Sequence, residues 1–522
     1  MSEIFDARLN KFASGKAPTS LCGGRKGIEK ESLRVASDGL MSQSRHPELL
    51  GSALTNKYIT TDFSESLLEF ITPAYAQTWE ALRVLCDIHQ FTYERLGDEL
   101  LWVTSMPCAI PADQDIPLAQ YGSSNVGQMK TIYRNGLGFR YGRIMQTIAG
   151  IHFNYSLPDA FWPIYQADEQ DSGDIDVFRS NAYLGLVRNF RRFGWLILYL
   201  FGASPALCKS FTRGKDPGMP SLDKQTFYQP FATSLRMSDL GYTNSLQARI
   251  SISVNSLDEY IENLNAAIAT PEPAYEKIGT KVDGDYRQLN VNQLQIENEY
   301  YSSVRPKRVA MTGERPTAAL KRGGIEYVEI RSLDLNAFDP VGISQNTMRF
   351  VEPFLIYCLL EQSPPFDDAT YDETAVNHSL TATNGRDPEL YLQRNGQAVR
   401  LRDWASDIIG KVRQVAELID SGSDRDDYAQ AVDAQFELLS EPERTPSARI
   451  LSDLRETGSG FYEYALEIAK SHKQYFAELE PLSAERLKLL TDEATESLQR
   501  QAEIETADEI SLDEYLRRYF KS

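Results

Sequence analysis

Four segments of this chain place carboxylate, imidazole or guanidinium groups at alternate positions among hydrophobic neighbours. The first is Gly27-Ile28-Glu29-Lys30-Glu31-Ser32-Leu33-Arg34. In a strand, side chains at i and i+2 share a face, so Glu29, Glu31 and Leu33 point one way and Lys30, Ser32 and Arg34 the other. Two carboxylates on one strand face repel each other and lose hydration when buried. A divalent cation relieves both costs; a solvated edge strand avoids them. The second segment, Thr60 to Pro73, repeats the pattern with two readings. As a strand it aligns Glu65, Leu67, Glu69 and Ile71; as a helix it aligns Asp62, Glu65 and Glu69. Glu69 sits among Leu67, Leu68, Phe70 and Ile71, a poor setting for a casual surface charge.

The third segment, Met145 to Pro158, reads as the clearest strand. Gln146, Ile148, Gly150, His152, Asn154 and Ser156 form one face, and Ile151, Phe153, Tyr155 and Leu157 the other. A single strand histidine is commonly a hydrogen-bonded core residue, but its company here suggests a polar floor. In the fourth, Gly323 to Asp334, the residues Tyr327, Glu329, Arg331 and Leu333 share a face. Glu329 and Arg331 make either a same-face ion pair or a metal ligand beside a phosphate clamp. One sheet whose polar face binds Mg²⁺ explains all four segments together. Hard oxygen ligands suit that ion, and its usual partner is a nucleotide phosphate. The formal net charge of −20 points the same way, because metals let an acidic protein receive anionic substrates.

The elements that must position these groups divide along the chain. Residues 1–347 alternate short segments with Gly, Pro and Asn and read as a sheet-rich catalytic core, with helices at Thr78 to Leu96 and Ala182 to Phe193. Residues 348–522 read as mainly helical, as in Trp404 to Leu418, Tyr428 to Leu439 and Gly460 to His472. Asp367 to Arg386 lacks periodicity and reads as a long surface loop or lid; Ser483 to Phe520 reads as a solvated helical face. The class is therefore α+β, a mainly antiparallel sheet with helices packed beside it.

Several function classes are disfavoured. The acidic balance opposes nucleic-acid or anionic-membrane binding. The richest apolar run, Phe193 to Ala206, falls short of a span of ~20 residues and is broken by Gly194, Gly202, Ser204 and Pro205. No signal peptide is evident, so a cytoplasmic location is expected. Cys22, Cys86, Cys108, Cys208 and Cys358 are far apart without a C-x-x-C, which fits reduced thiols and disfavours structural zinc. P-loop and Rossmann glycine motifs are absent from the sequence.

With these residues in view, the chain resembles the proteobacterial-type glutamate–cysteine ligases. The resemblance rests on Gly27 to Arg34, Gly51 to Thr55, Ile59 to Phe63, Leu68 to Pro73, Leu118 to Gly122, Tyr199 to Ala206, Ala232 to Asn244, Leu294 to Glu299, Arg305 to Arg308 and Gly323 to Leu335. It implies a curved, glutamine-synthetase-like sheet forming a funnel for ATP and Mg²⁺ or Mn²⁺. It places Glu29, Glu31, Asp62, Glu69, His152 and Glu329 at metal positions and Arg331 beside the transferred phosphate, with Glu29, Glu329 and Arg331 as the catalytic groups. Arg236, Asn154 and Gln146 fall where glutamate is held, and Tyr133, Tyr242 and Tyr301 where an aromatic pocket receives cysteine. Tyr300 and Ser302-Ser303 depart from the family pattern. The implied reaction is ATP-dependent joining of the glutamate γ-carboxylate to the cysteine amine by a monomer. A related ligase with another acceptor amine and a non-catalytic homologue are the alternatives.

Overall fold

The computed structural model describes residues 3–14, 18–241, 250–311 and 313–521. Seven strands form its main sheet: β1 (Arg25–Val35), β2 (Ile59–Thr61), β3 (Leu67–Ile71), β4 (Leu100–Leu101), β5 (Ile151–Ser156), β6 (Val304–Lys307) and β7 (Tyr327–Leu333). Their order is β6-β7-β5-β1-β3-β2, with β4 pairing the far end of β1, and every pairing is antiparallel. The α+β class with an antiparallel sheet is as expected.

Alternation decides the two faces. Ile28, Phe70, Phe153, Val328 and Ile330 are buried against the helices, among them Ile175–Phe193 and Gln345–Leu360. Burying such side chains is worth roughly 1.5–3 kcal/mol each, which fixes the register of the polar residues between them. Two lysines of β1 share this covered face. Lys26 Nζ meets Glu352 Oε2 at 2.7 Å with both side chains 1% exposed. Lys30 Nζ lies 2.8 Å from His89 Nε2, and burial pushes the Lys30 amine down to about 7. The hydrophobic cluster runs continuously from Phe5 to Ala494, so the later helices share the core of the sheet.

Four expectations need correction. The third segment is a strand only from Ile151; Ile144–Thr147 is a 3₁₀ turn, so Gln146 is not on β5. Asp367 to Arg386 is not a loop. It holds the helix Asp368–Asn384, whose N-terminus the Asp367 side chain caps by accepting from Thr370 N. Its apolar period was hidden because polar Asn377 and Thr381 take inward positions; Asn377 donates to Gln393 O at 2.7 Å. The cysteines are not all unpaired either. Cys108 and Cys208 form a disulfide with Cα atoms 5.3 Å apart, although 100 residues separate them in sequence. Finally, the tail is only partly a solvated face. In Ala484–Ala507, Leu490, Glu493, Ala494 and Ser497 are buried, and Ser497 Oγ accepts from Ser52 N at 2.9 Å.

Candidate active site

The open polar face of the sheet floors a cavity of about 770 Å³. Strand register builds the floor in rows: Glu29 opposite His152, Glu31 opposite Glu69, and Glu329 flanked by Asn154 and Arg305. Directly opposed residues share a face, so residues distant in sequence converge. His152 Nδ1 lies 3.0 Å from Glu29 Oε2 and 3.7 Å from Glu329 Oε1, and its Nε2 lies 3.7 Å from Glu31 Oε1. Asn154 Nδ2 donates to Glu29 Oε1 at 2.9 Å, and Gly150 N donates to Glu31 Oε2 at 2.6 Å.

Electrostatics split the carboxylates. Burial pushes Glu69 well above the usual range, and neighbouring Glu29, Asp62 and Glu31 push it further. Burial likewise raises Glu31. Glu329 is also buried, but Lys307 and Arg331 outweigh that cost and hold it far below the usual range. Glu29 is only half-buried; desolvation raises it, yet its hydrogen bond with His152 leaves it lowered. Arg331 Nη1 donates to Glu329 Oε1 at 3.3 Å, and Lys307 Nζ stands 3.8 Å from the same oxygen.

A cation fits this floor. Glu29, His152 and Glu329 each offer a ligand atom within 4.8 Å of the others. Glu329 Oε2 and Asn154 Oδ1 are buried without a hydrogen-bond partner, an unusual and costly state for polar atoms. A donor set rich in hard carboxylate oxygen suits Mg²⁺ or Mn²⁺ better than a soft metal.

Of the expected site residues, Glu29, Glu31, Asp62, Glu69, His152, Glu329, Arg331, Gln146, Tyr133 and Tyr301 line the cavity. Asn154 reaches it through Glu29. Arg236 does not line the cavity; it is buried behind Arg331, where Nη2 donates to Arg331 O at 2.9 Å and Nη1 lies 3.7 Å from Asp334 Oδ1. Asp334 is held in turn by Ser204 at 2.6 Å, Ser234 at 2.9 Å and Ala203 N at 2.8 Å. Tyr242 lies outside the described residues.

Sequence reasoning missed the roof. The helix Asn125–Tyr141, capped by Ser124, presents Lys130, Arg134 and Arg140 to the cavity above the acidic floor. Arg134 lies over the Tyr121 ring at 4.5 Å and donates to Asp62 O, and Tyr121 OH also donates to that oxygen at 2.9 Å. Those contacts hold the turn that aims Asp62. The four-residue spacing of Lys130 and Arg134 was the available signal, but such charges usually face solvent. Arg305 and Lys307 stood in a recognised motif without a role, and Tyr519 gave no signal at all.

The acidic floor and basic roof make a site suited to a cation and to anionic groups, and comparison with known proteins identifies the family. The glutamate–cysteine ligase family model matches residues 9–381. The glutamate–cysteine ligase of Alcanivorax borkumensis is 49% identical over 99% of both chains. That of a Pseudomonas putida strain is 48% identical over 99% of this chain and 98% of its own. The crystal structure of Francisella tularensis glutamate–cysteine ligase in complex with AMP has a TM-score of 0.90 and 38% identity, covering 96% of this chain and 98% of that one. A bifunctional glutathione synthetase of Pasteurella multocida shares the fold with a TM-score of 0.72 at 24% identity, over 90% of this chain and 55% of its own. The chain belongs to the glutamate–cysteine ligase family.

Proposed function

We propose that this cavity joins the γ-carboxylate of L-glutamate to the amine of L-cysteine at the expense of ATP, giving γ-glutamylcysteine in glutathione biosynthesis. The observation supporting it most directly is the Glu29–His152–Glu329 cluster with Arg331 and Lys307 against it, in a chain of this family. The γ-carboxylate takes the terminal phosphoryl group of ATP to become an acyl phosphate. The cysteine amine then attacks and phosphate leaves. Phosphoryl transfer depends mainly on positioning and charge neutralisation. Glu29, Glu31, Asp62, Glu69, His152 and Glu329 are the residues that would hold Mg²⁺ or Mn²⁺, which when bound supplies charge neutralisation at the phosphates. Arg331, fixed by Glu329, meets the transferred group. Gln146, Asn154 and Arg236 hold glutamate, while Tyr133 and Tyr301 shape the cysteine pocket. No helix among the described residues is long and apolar enough to cross a membrane. We place the enzyme in the cytoplasm as a monomer, with residues 1–347 as catalytic core and 348–522 as helical part.

ADP release tests the reaction. With Mg²⁺-ATP and glutamate, cysteine stimulates ADP formation, and excess EDTA stops it until Mg²⁺ is restored. Stimulation by another amine alone makes the protein a related ligase with that acceptor, and absence of turnover makes it a non-catalytic homologue. A second prediction concerns Arg236. A Cβ at Gly150 would meet Arg236 Nη2 at 2.0 Å, so Gly150→Ala swings the guanidinium away. A charge-assisted hydrogen bond is worth roughly 1.5–3 kcal/mol, so KM for glutamate rises about tenfold or more in steady-state assays. An unchanged KM places glutamate elsewhere.

A further inference from the structure

The helix Leu512–Tyr519 ends at the cavity. Ser511 caps it by accepting from Glu514 N. The approach to it is tied to the start of the roof helix: Ser123 N donates to Glu505 Oε1 at 2.7 Å, and Asn125 Nδ2 donates to Ile510 O at 2.9 Å. Leu516 is buried with Met129 and Leu289, and Tyr519 packs against the same cluster. Tyr519 also lies beside the Arg315–Glu297 ion pair, and it lines the cavity.

We propose that Tyr519 is a specificity-determining wall of the ATP site, a platform for the purine base. This role for Tyr519 rests on the reading of the cavity as an ATP site. The phosphate-side cations Arg305, Lys307 and Arg331 all belong to β6 and β7. Beyond Lys307 the lining continues through Ala310 and Pro316, and the cluster around Tyr519 includes Ile296 and Met129. A nucleotide with its phosphates at those cations directs a flat, largely apolar base toward this wall. An aromatic ring at its end supplies stacking surface, which is sequence-tolerant and needs no charge. Glutamate carries no such surface, and cysteine has too short a side chain to use one as large.

The test compares Tyr519→Ala and Tyr519→Phe with the natural chain, using steady-state KM for each substrate and calorimetric binding of Mg²⁺-ATP alone. Loss of a stacking platform weakens nucleotide binding by roughly tenfold. Tyr519→Ala therefore raises KM for ATP and weakens calorimetric binding by about that factor. It leaves kcat and the KM values for glutamate and cysteine within about twofold, and Tyr519→Phe retains ATP binding. A rise confined to cysteine KM, an equal rise for all substrates, or unaltered ATP binding overturns the proposal. Calorimetry reads ATP binding even in a chain that does not turn over with cysteine, so failure of the ligase reading is distinguishable from failure of this one.

Discussion

Glu29→Gln abolishes measurable turnover while the protein stays folded. Glu29 sits at the junction of the site, bonded to His152 at 3.0 Å and to Asn154 at 2.9 Å and facing Glu329 across the cluster. The amide keeps the volume and one oxygen but removes the charge and adds a donor. An NH₂ group cannot ligate a cation, and it confronts His152 or Asn154 with the wrong polarity. Removing a single group that stabilises transition-state charge commonly costs ~10²–10³-fold in kcat. Losing a metal-holding carboxylate at a phosphoryl-transfer site reaches at least that range. ADP release measures the loss, and far-ultraviolet circular dichroism checks the fold. Activity within a few-fold of the natural chain removes Glu29 from the catalytic groups.

Lys26→Met destabilises the fold by roughly 3–5 kcal/mol, the cost of leaving one partner of a buried ion pair alone. Lys26 and Glu352 meet at 2.7 Å with side chains 1% exposed, between the sheet and the helix Gln345–Leu360. Tyr428 OH donates to Glu352 Oε2 at 2.6 Å and Tyr155 OH to Oε1 at 3.3 Å. These two hydroxyls remain in the variant, but they do not neutralise the carboxylate. The midpoint of urea unfolding falls accordingly. Adding Glu352→Leu to Lys26→Met recovers part of the loss, because no charge is then left buried; the two idle tyrosine hydroxyls prevent full recovery. A single variant as stable as the natural chain shows that water reaches this pair.

The split of Glu29 and Glu31 from Lys30 and Arg34 was legible because a strand alternates by backbone geometry alone. Glu29 and Glu31 line the cavity, while Lys30 and Arg34 turn into buried partnerships with His89 and Glu99. The Thr60 to Pro73 segment was legible only in part. The strand alternation held for Leu67, Glu69 and Ile71 on β3, but the chain reverses between β2 and β3 and leaves Glu65 outside it. Asp62 enters the cavity, but Glu65 turns aside to accept from His46 N at 2.9 Å and Gln120 N at 2.8 Å. Which acidic residue a hairpin aims inward depends on what packs against it, here Tyr121 and Arg134.

The sequence by itself determined the antiparallel α+β class, the acidic faces of the central strands and the resemblance to a ligase family. All three rest on local alternation or on ordered motifs. Only the tertiary structure set Glu31 opposite Glu69 and Glu29 opposite His152, and only it closed the roof with Lys130 and Arg134. It also joined Cys108 to Cys208 and brought Tyr519 to the cavity. Those pairings join residues far apart in the chain, and their choice follows from which apolar faces bury each other, a property of the whole packed core that no local spacing encodes.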